Sequence, residues 1–296
     1  MAVATGARTR AEHTTTSARS WLVRGGLRKL ILVGGLAVFT IWTLFPFVWI
    51  IETSLKTNKD LYQQATLIPK RVTLVHYHEV VDKTPFFTYF KNSLIVSLST
   101  TVIAMVIGVL SAYAITRLAF RGRTFVARTI IVTYLVPGTL LFIPVFQIAQ
   151  QLHLTNKAAG LIVIYLIFTV PFCTWLAISY FNTIPSELED AALVDGANRF
   201  QSLTRVIIPL ALPALAVIAL FAFTQSWNEF LFALLLIGSD SQKTIPAGLV
   251  AFMNGDVYQW GALMASSLLA SLPPILIYII AQKWVVSGLA GGAVKG

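Results

Sequence analysis

Gln225, Trp227, Asn228 and Glu229 stand together late in a long apolar run. An indole can stack on the face of a sugar ring, and amide or carboxylate groups can bond its hydroxyls. These four side chains are therefore candidates for lining a substrate path. Glu229 is the only acid in its run, and a charge at mid-bilayer costs about 2.5–3.5 kcal/mol on insertion scales. Counted from Pro209 it lies roughly 30 Å along a helix, so a structural or interfacial role fits equally. Other chemistry finds little footing. His13, His76, His78 and His153 are scattered, and the close pair His76 and His78 reads as incidental, so no metal site is expected. Cys173 is the one cysteine, and inside an apolar run it reads as a core thiol. The sequence has no Gly-x-Ser-x-Gly elbow and no Gly-x4-Gly-Lys-Ser/Thr phosphate loop, so it cannot hydrolyse ATP by that route.

The elements that must position these residues are membrane helices. Of 296 residues, 56% are hydrophobic and 11% charged, with a mean hydropathy of +0.76. A soluble domain carries about 25% charge. The deficit excludes a soluble enzyme, a disordered chain and a disulfide scaffold. A bilayer core of about 30 Å needs about 20 apolar residues as a helix. Uncharged runs of that size predict six spans: 30–51, 92–116, 129–156, 158–186, 206–228 and 257–282. Residues 230–237 are too short to cross alone and read as the end of the fifth helix or a short return at the outer face. Pro46, Pro137, Pro144, Pro171, Pro213, Pro273 and Pro274 fall within the spans, where each removes a backbone donor.

The net charge of +10 then reads as topology rather than as nucleic-acid binding. With the N-terminus inside, fourteen Lys and Arg lie on the inner side and eight on the outer. The Arg-Leu-Ala-Phe-Arg-Gly-Arg turn at 117–123 is the clearest inner signal. Residues 1–29 are expected to be a disordered cytoplasmic tail, 30–285 the membrane domain and 286–296 a cytoplasmic tail. Residues 52–91 and 238–261 are the longer outer loops, the second made pliant by its glycines and by Asn254, Gly255 and Asp256.

Residues 184–209 are the only long polar stretch between two spans on the inner side. Ser186 with Glu189 has the spacing of a capping box, so a short helix is expected to start there. Glu187, Glu189 and Asp190 suit the positive end of its dipole. Gly196 can end it with a positive φ, and a second amphipathic stretch leads to Pro209. Taken by itself this is an amphipathic surface hairpin.

The hairpin also carries a resemblance. Asp190-Ala191-Ala192, Gly196 after three residues, and Val206-Ile207-Ile208-Pro209 after nine more resemble the Glu-Ala-Ala, Gly, Ile-x-Leu-Pro pattern of permease subunits of bacterial binding-protein-dependent ABC importers. Asp190, Val206 and Ile208 depart conservatively. Ser226-Trp-Asn-Glu-Phe230, Lys243-Thr-Ile-Pro-Ala-Gly-Leu249 and the ending Lys283 to Gly296 resemble carbohydrate permeases of the maltose type. The likeness is to the smaller subunit, which has no large outer insertion.

The resemblance implies an all-α membrane fold of six helices, the type I importer permease fold, in a bacterial inner membrane with both termini cytoplasmic. It implies a second permease, two cytoplasmic ATPase subunits carrying ATP and Mg, and an external sugar-binding protein as partners, with no cofactor held by this chain. Glu189, Asp190, Ala191, Ala192, Asp195, Gly196, Arg199, Val206, Ile208 and Pro209 would couple to the ATPase. Gly291, Gly292, Lys295 and Gly296 would touch it from the tail. Ala251, Phe252, Met253, Asn254, Gly255 and Asp256 would meet the binding protein. The competing reading is a self-sufficient secondary transporter, which needs coupling-ion sites at mid-membrane.

Overall fold

The computed structural model describes residues 6–63, 69–253 and 258–293, with side chains described for 29–62, 69–253 and 258–284. Among these residues the fold is helical. The elements are α1 (Gly6–Leu55), α2 (Asn58–Gln63), α3 (Val75–Lys83), α4 (Phe86–Arg117), α5 (Arg123–Leu135), α6 (Phe142–Gln151), α7 (Ala158–Phe181), α8 (Ser186–Val194), α9 (Arg199–Ser202), α10 (Ile208–Trp227), α11 (Leu231–Leu236), α12 (Ile245–Leu249) and α13 (Trp260–Ala293). A π-helical turn, Leu203–Ile207, joins α9 to α10.

Five of the helices are long and apolar enough to cross a membrane: Lys29–Leu55, Phe86–Arg117, Ala158–Phe181, Arg199–Trp227 and Trp260–Trp284. The third expected span departs from its prediction. It begins at Arg123 rather than at 129, and it is two helices bent by 87°. Val136 and Pro137 make the break. Proline pushes the residue before it out of the helical region, and Val136 is extended at φ −71°, ψ 120°. Pro46, Pro171, Pro213, Pro273 and Pro274 remain inside continuous helices.

The N-terminal end of the described residues also differs from expectation. α1 begins at Gly6, so the described part of the N-terminal tail is helical rather than disordered. Its alanines, arginines and leucines favour helix, and growth from an existing span avoids the cost of nucleation. α13 likewise runs through Gly291 and Gly292, whereas Lys295 and Gly296 lie outside the described residues.

The bundle is built around α4, α7 and α10. Ala104, Gly108 and Ala112 recur every four residues on one face of α4, and Ala104 and Ala112 are fully buried. They face Cys173 and Ala177 of α7, each 1% exposed. In lipid, where apolar side chains gain little by leaving the bilayer, close backbone approach across small residues drives helix association. A Cβ on Gly108 would lie 2.9 Å from the Cys173 Cβ and 3.2 Å from the backbone of Cys173 and Thr174. Cys173 is thus the core thiol the sequence suggested. α13 packs on α10 and α1. The apolar flank of α1 is open, with Leu30 71% and Trp42 80% exposed, as suits a lipid-facing helix.

Candidate functional site

The hairpin occupies one end of the bundle. α8 starts at Ser186 after Pro185, whose φ of −55° and ψ of 135° turn the chain out of α7. The expected capping box is not formed: Ser186 is already helical and makes no cap bond. The box is instead at α9, where Asn198 Oδ1 accepts from Gln201 N (2.8 Å) and Gln201 Oε1 accepts from Asn198 N (2.9 Å). Gly196 does end α8 with φ +89°. Ala197 N donates to Ala192 O (3.0 Å) and Gly196 N to Leu193 O (3.1 Å), the paired bonds of a glycine-closed helix end.

Glu189 explains the missing box. Its side chain turns inward and is 2% exposed. Tyr113 donates its hydroxyl proton to Glu189 Oε1. Arg199 Nη1 donates to the same oxygen at 3.0 Å, and Arg117 Nε lies 3.5 Å from Oε2. Arg117 Nη2 also donates to the carbonyls of Phe181 (3.0 Å) and Ile184 (2.6 Å). A carboxylate so deeply buried needs this positive and hydrogen-bonded surround.

The coupling residues proposed from sequence therefore divide. Asp190, Ala191, Asp195, Gly196 and Arg199 are exposed on the hairpin, with Ala192 half-buried. Val206 and Ile208 are half-buried where the π turn enters α10, and Pro209 is exposed there. Glu189 faces the bundle and is not available to a partner. Sequence reasoning missed Tyr113 and Arg117 as partners of the hairpin, because Tyr113 lies 76 residues before Glu189 and Arg117 lies 67 before Ile184. By sequence Arg117 reads only as an orienting charge.

The second candidate group divides too. Trp227 is 4% exposed, stacks on Phe223 at 5.5 Å and donates from Nε1 to Ala270 O (3.2 Å). It is a core residue between α10 and α13 and does not line a path. Gln225 and Asn228 are exposed. Glu229 closes the following helix: its carboxylate accepts from Phe232 N (2.9 Å) and Ala233 N (3.1 Å). Within residues 230–237, Leu231–Leu236 thus form a short separate helix, α11, rather than an end of the fifth helix. Glu229→Ala is expected to lower stability by about 1 kcal/mol, as loss of a helix cap does, read as a lower thermal midpoint in detergent.

A cleft of about 490 Å³ lies beside this group at the bend between α5 and α6. Tyr134, Phe142 and Tyr165 face Gln225, Ser226 and Glu229 across it. The Ser226 hydroxyl is buried there without a protein hydrogen-bond partner.

At the end opposite the hairpin, residues 238–253 form a succession of short helical turns. Asn92 Nδ2 donates to Ser241 O and Lys243 O, both at 2.9 Å. Ser93 Oγ accepts from Ile245 N at 2.8 Å. Gly248 lies against Tyr89, where a Cβ would come within 2.2 Å of the ring. The Lys243 ammonium, 2.7 Å from Asp240 Oδ1, holds that carboxyl below its usual range. Phe252 is 7% exposed and faces inward, whereas Ala251 and Met253 are exposed. Asn254, Gly255 and Asp256 lie outside the described residues.

Residues 52–91 also depart from a plain polar loop. Glu52 and Lys56 belong to or adjoin α1 and form a buried ion pair. His76 is 2% exposed, and its Nε2 donates to Lys56 O at 2.9 Å. It is a structural core residue rather than an incidental surface histidine. Among the described residues no group of three or more His, Cys, Asp or Glu could hold a metal ion.

Comparison with known proteins bears on all of this. Residues 104–291 match the family described as binding-protein-dependent transport system inner membrane component. The chain is 39% identical over 265 residues to the inner membrane ABC transporter permease protein YcjP of Escherichia coli K12, covering 88% of this chain and 95% of that protein. It is 34% identical to the trehalose/maltose transport system permease protein MalG of Thermococcus litoralis, covering 91% and 98%. Its fold matches a chain of a bacterial ABC transporter that imports alginate, with a TM-score of 0.73 and 24% identity over 90% of this chain and 97% of that one. The hairpin, the spans around it and these relatives agree: the chain belongs to the family of binding-protein-dependent transport system inner membrane components and is a multi-pass permease subunit of an ABC importer.

Proposed function

We propose that this chain forms half of the translocation path of an ATP-driven carbohydrate importer and receives the cytoplasmic ATPase on its 184–209 hairpin. The observation that carries the reading is the outward face of that hairpin. The glycine-closed end of α8 and the capped start of α9 hold it in one shape. Yet Leu188, Val194 and Phe200 are 45%, 87% and 67% exposed on it. Apolar side chains grouped on a polar, well-formed surface suit a protein partner. Ala191 permits close approach, and Asp190 and Asp195 supply charge beside them.

The partners in this reading are a second permease, two ATPase subunits that bind ATP and Mg, and an external sugar-binding protein. The hairpin end and both chain termini face the cytoplasm, as the arginines of the 117–123 turn favour. Gly291, Gly292, Lys295 and Gly296 then sit on the ATPase side. Residues 251–256 face the binding protein.

Carbohydrate is favoured by two points. The Thermococcus relative is named for trehalose and maltose transport. The cleft at the α5–α6 bend sets aromatic rings opposite Gln225, Ser226 and Glu229, a surface for stacking a sugar and bonding its hydroxyls. ATP binding would draw the ATPase subunits together, the hairpin would carry that movement into the spans, and the cleft would change the side to which it opens.

The test uses the chain expressed with its partner subunits. Gly196→Val places a β-branched residue at φ +89°, a strain of about 1–2 kcal/mol. Arg199→Glu sets a second carboxylate beside Glu189. Each variant is expected to insert normally while sugar uptake per ATP hydrolysed falls about tenfold, a coupling change of ordinary size. Uptake by the purified chain without any ATPase, or unchanged coupling in both variants, would sink the reading.

A further inference from the structure

Resting on the hairpin as the ATPase-docking element, we propose that Glu189 is a positioning residue that ties α4 and the end of α7 to the hairpin, so that the three move as one body. Three side chains from two other helices converge on this one carboxylate. Tyr113 and Arg117 stand four residues apart on one face of α4 and both reach it. Arg199 reaches it from α9, 3.0 Å from Oε1. The Tyr113 hydroxyl also lies 3.2 Å from Arg199 O, so α4 touches the backbone of α9 as well as the side chain of α8.

Arg117 makes the joint three-way. Its Nη2 donates to Phe181 O, which also accepts from Ile184 N, and to Ile184 O, carbonyls at the end of α7 beyond which no further helical turn supplies donors. One guanidinium therefore holds the end of α7 while its Nε faces the hairpin carboxylate. The side chains of Arg117 and Glu189 are 9% and 2% exposed, so water does not loosen the contact. A directional, charged joint resists sliding in a way that an apolar contact of equal area does not, because displacement leaves a buried charge unpaired.

The connection from the hairpin to α10 is built differently. It runs through the π turn Leu203–Ile207, followed by Pro209. Proline has no N–H, so Arg205 O lacks the donor that would continue regular helix there. Ser202 Oγ is buried beside this turn without a hydrogen-bond partner. π turns interrupt the helical ladder, often at functional sites. A rigid joint toward α4 and α7 thus stands opposite an interrupted helix toward α10. Movement imposed on the hairpin would carry α4 and α7 with it and change the angle at which α10 meets it.

The experiment uses the assembled transporter in nanodiscs, with Cys173→Ala as background and spin labels at exposed Phe120, Glu187 and Leu210. Without nucleotide and with ATP bound, the Phe120–Glu187 distance is expected to stay within about 2 Å, the size of ordinary helix adjustments, while Glu187–Leu210 changes by more. In Glu189→Gln the Phe120–Glu187 distance is expected to become nucleotide-dependent. Uptake per ATP should fall about tenfold while hydrolysis continues, which is a coupling loss and not a loss of fold. A Phe120–Glu187 distance that shifts with ATP while Glu189 is intact overturns the proposal, as does unchanged coupling in Glu189→Gln. If Glu189→Gln does not fold, the distances measured with Glu189 intact decide alone. Failure of the chain to hold an ATPase at all is a separate readout, by co-purification, and removes the docking reading itself.

Discussion

Gly108→Leu is expected to prevent stable assembly of the bundle. A Cβ at this position already lies 2.9 Å from the Cys173 Cβ and 3.2 Å from two backbone atoms of α7. Leucine adds three more carbons in the same direction. The obstacle includes backbone, which cannot rotate aside, so α4 and α7 must separate along their whole crossing. Ala104, Ala112 and Ala177 would then lose contact with their neighbours. Overpacking in a core costs about 1–3 kcal/mol and occasionally more, and this case belongs at or beyond the upper end. The measurement is the monodisperse yield and thermal midpoint of purified protein in detergent. Gly34→Leu is the control, since nothing lies within 4 Å of a Cβ there, and it should behave as the unaltered chain. Equal behaviour of the two variants would show that the crossing is not held by close approach.

Arg117→Met should be the most damaging change at the hairpin end. It leaves the Glu189 carboxylate without its closest buried cation and leaves Phe181 O and Ile184 O without their shared donor. Removing one partner of a buried pair costs about 3–5 kcal/mol, chiefly because the other charge stays buried alone. Arg199 compensates in part, but its side chain is 53% exposed and its interaction is screened. The double variant Arg117→Met with Glu189→Leu removes both charges and fills the space with apolar groups. It should be more stable than Arg117→Met alone, because the unpaired charge is gone. If the double variant were instead as unstable as the sum of the two single changes, the damage would come from lost packing and not from electrostatics. The comparison needs only thermal midpoints, so it stands apart from any transport assay.

These residues also show how far the sequence could be read. The spans were legible because lipid demands long apolar helices, and length and hydropathy are local properties. Five of the six expected spans are single helices close to their predicted limits. The third is instead a bent pair of helices, because an apolar run does not disclose a break when the residues on both sides are equally apolar. Pro137 was visible, but Pro46, Pro171, Pro213 and the pair Pro273 and Pro274 leave their helices unbroken. The Gly196 turn was legible as well, since a glycine at the end of a short amphipathic helix has few other uses there.

The candidate sites were legible only by position along the chain. Sequence grouped Glu189 and Trp227 with neighbouring candidate residues, and both turn out to face the interior. A helix of 3.6 residues per turn sends adjacent residues in directions 100° apart, so Asp190 can be exposed while Glu189 is buried. Which of the two turns inward depends on Tyr113 and Arg117, brought beside it by the α4–α7 crossing. Composition and patterning were enough to establish a helical membrane protein and the location of its polar hairpin, since each follows from what one segment can do in lipid or water. The direction of each side chain was settled by tertiary packing, because burial of a charge or an indole depends on partners that no local stretch contains.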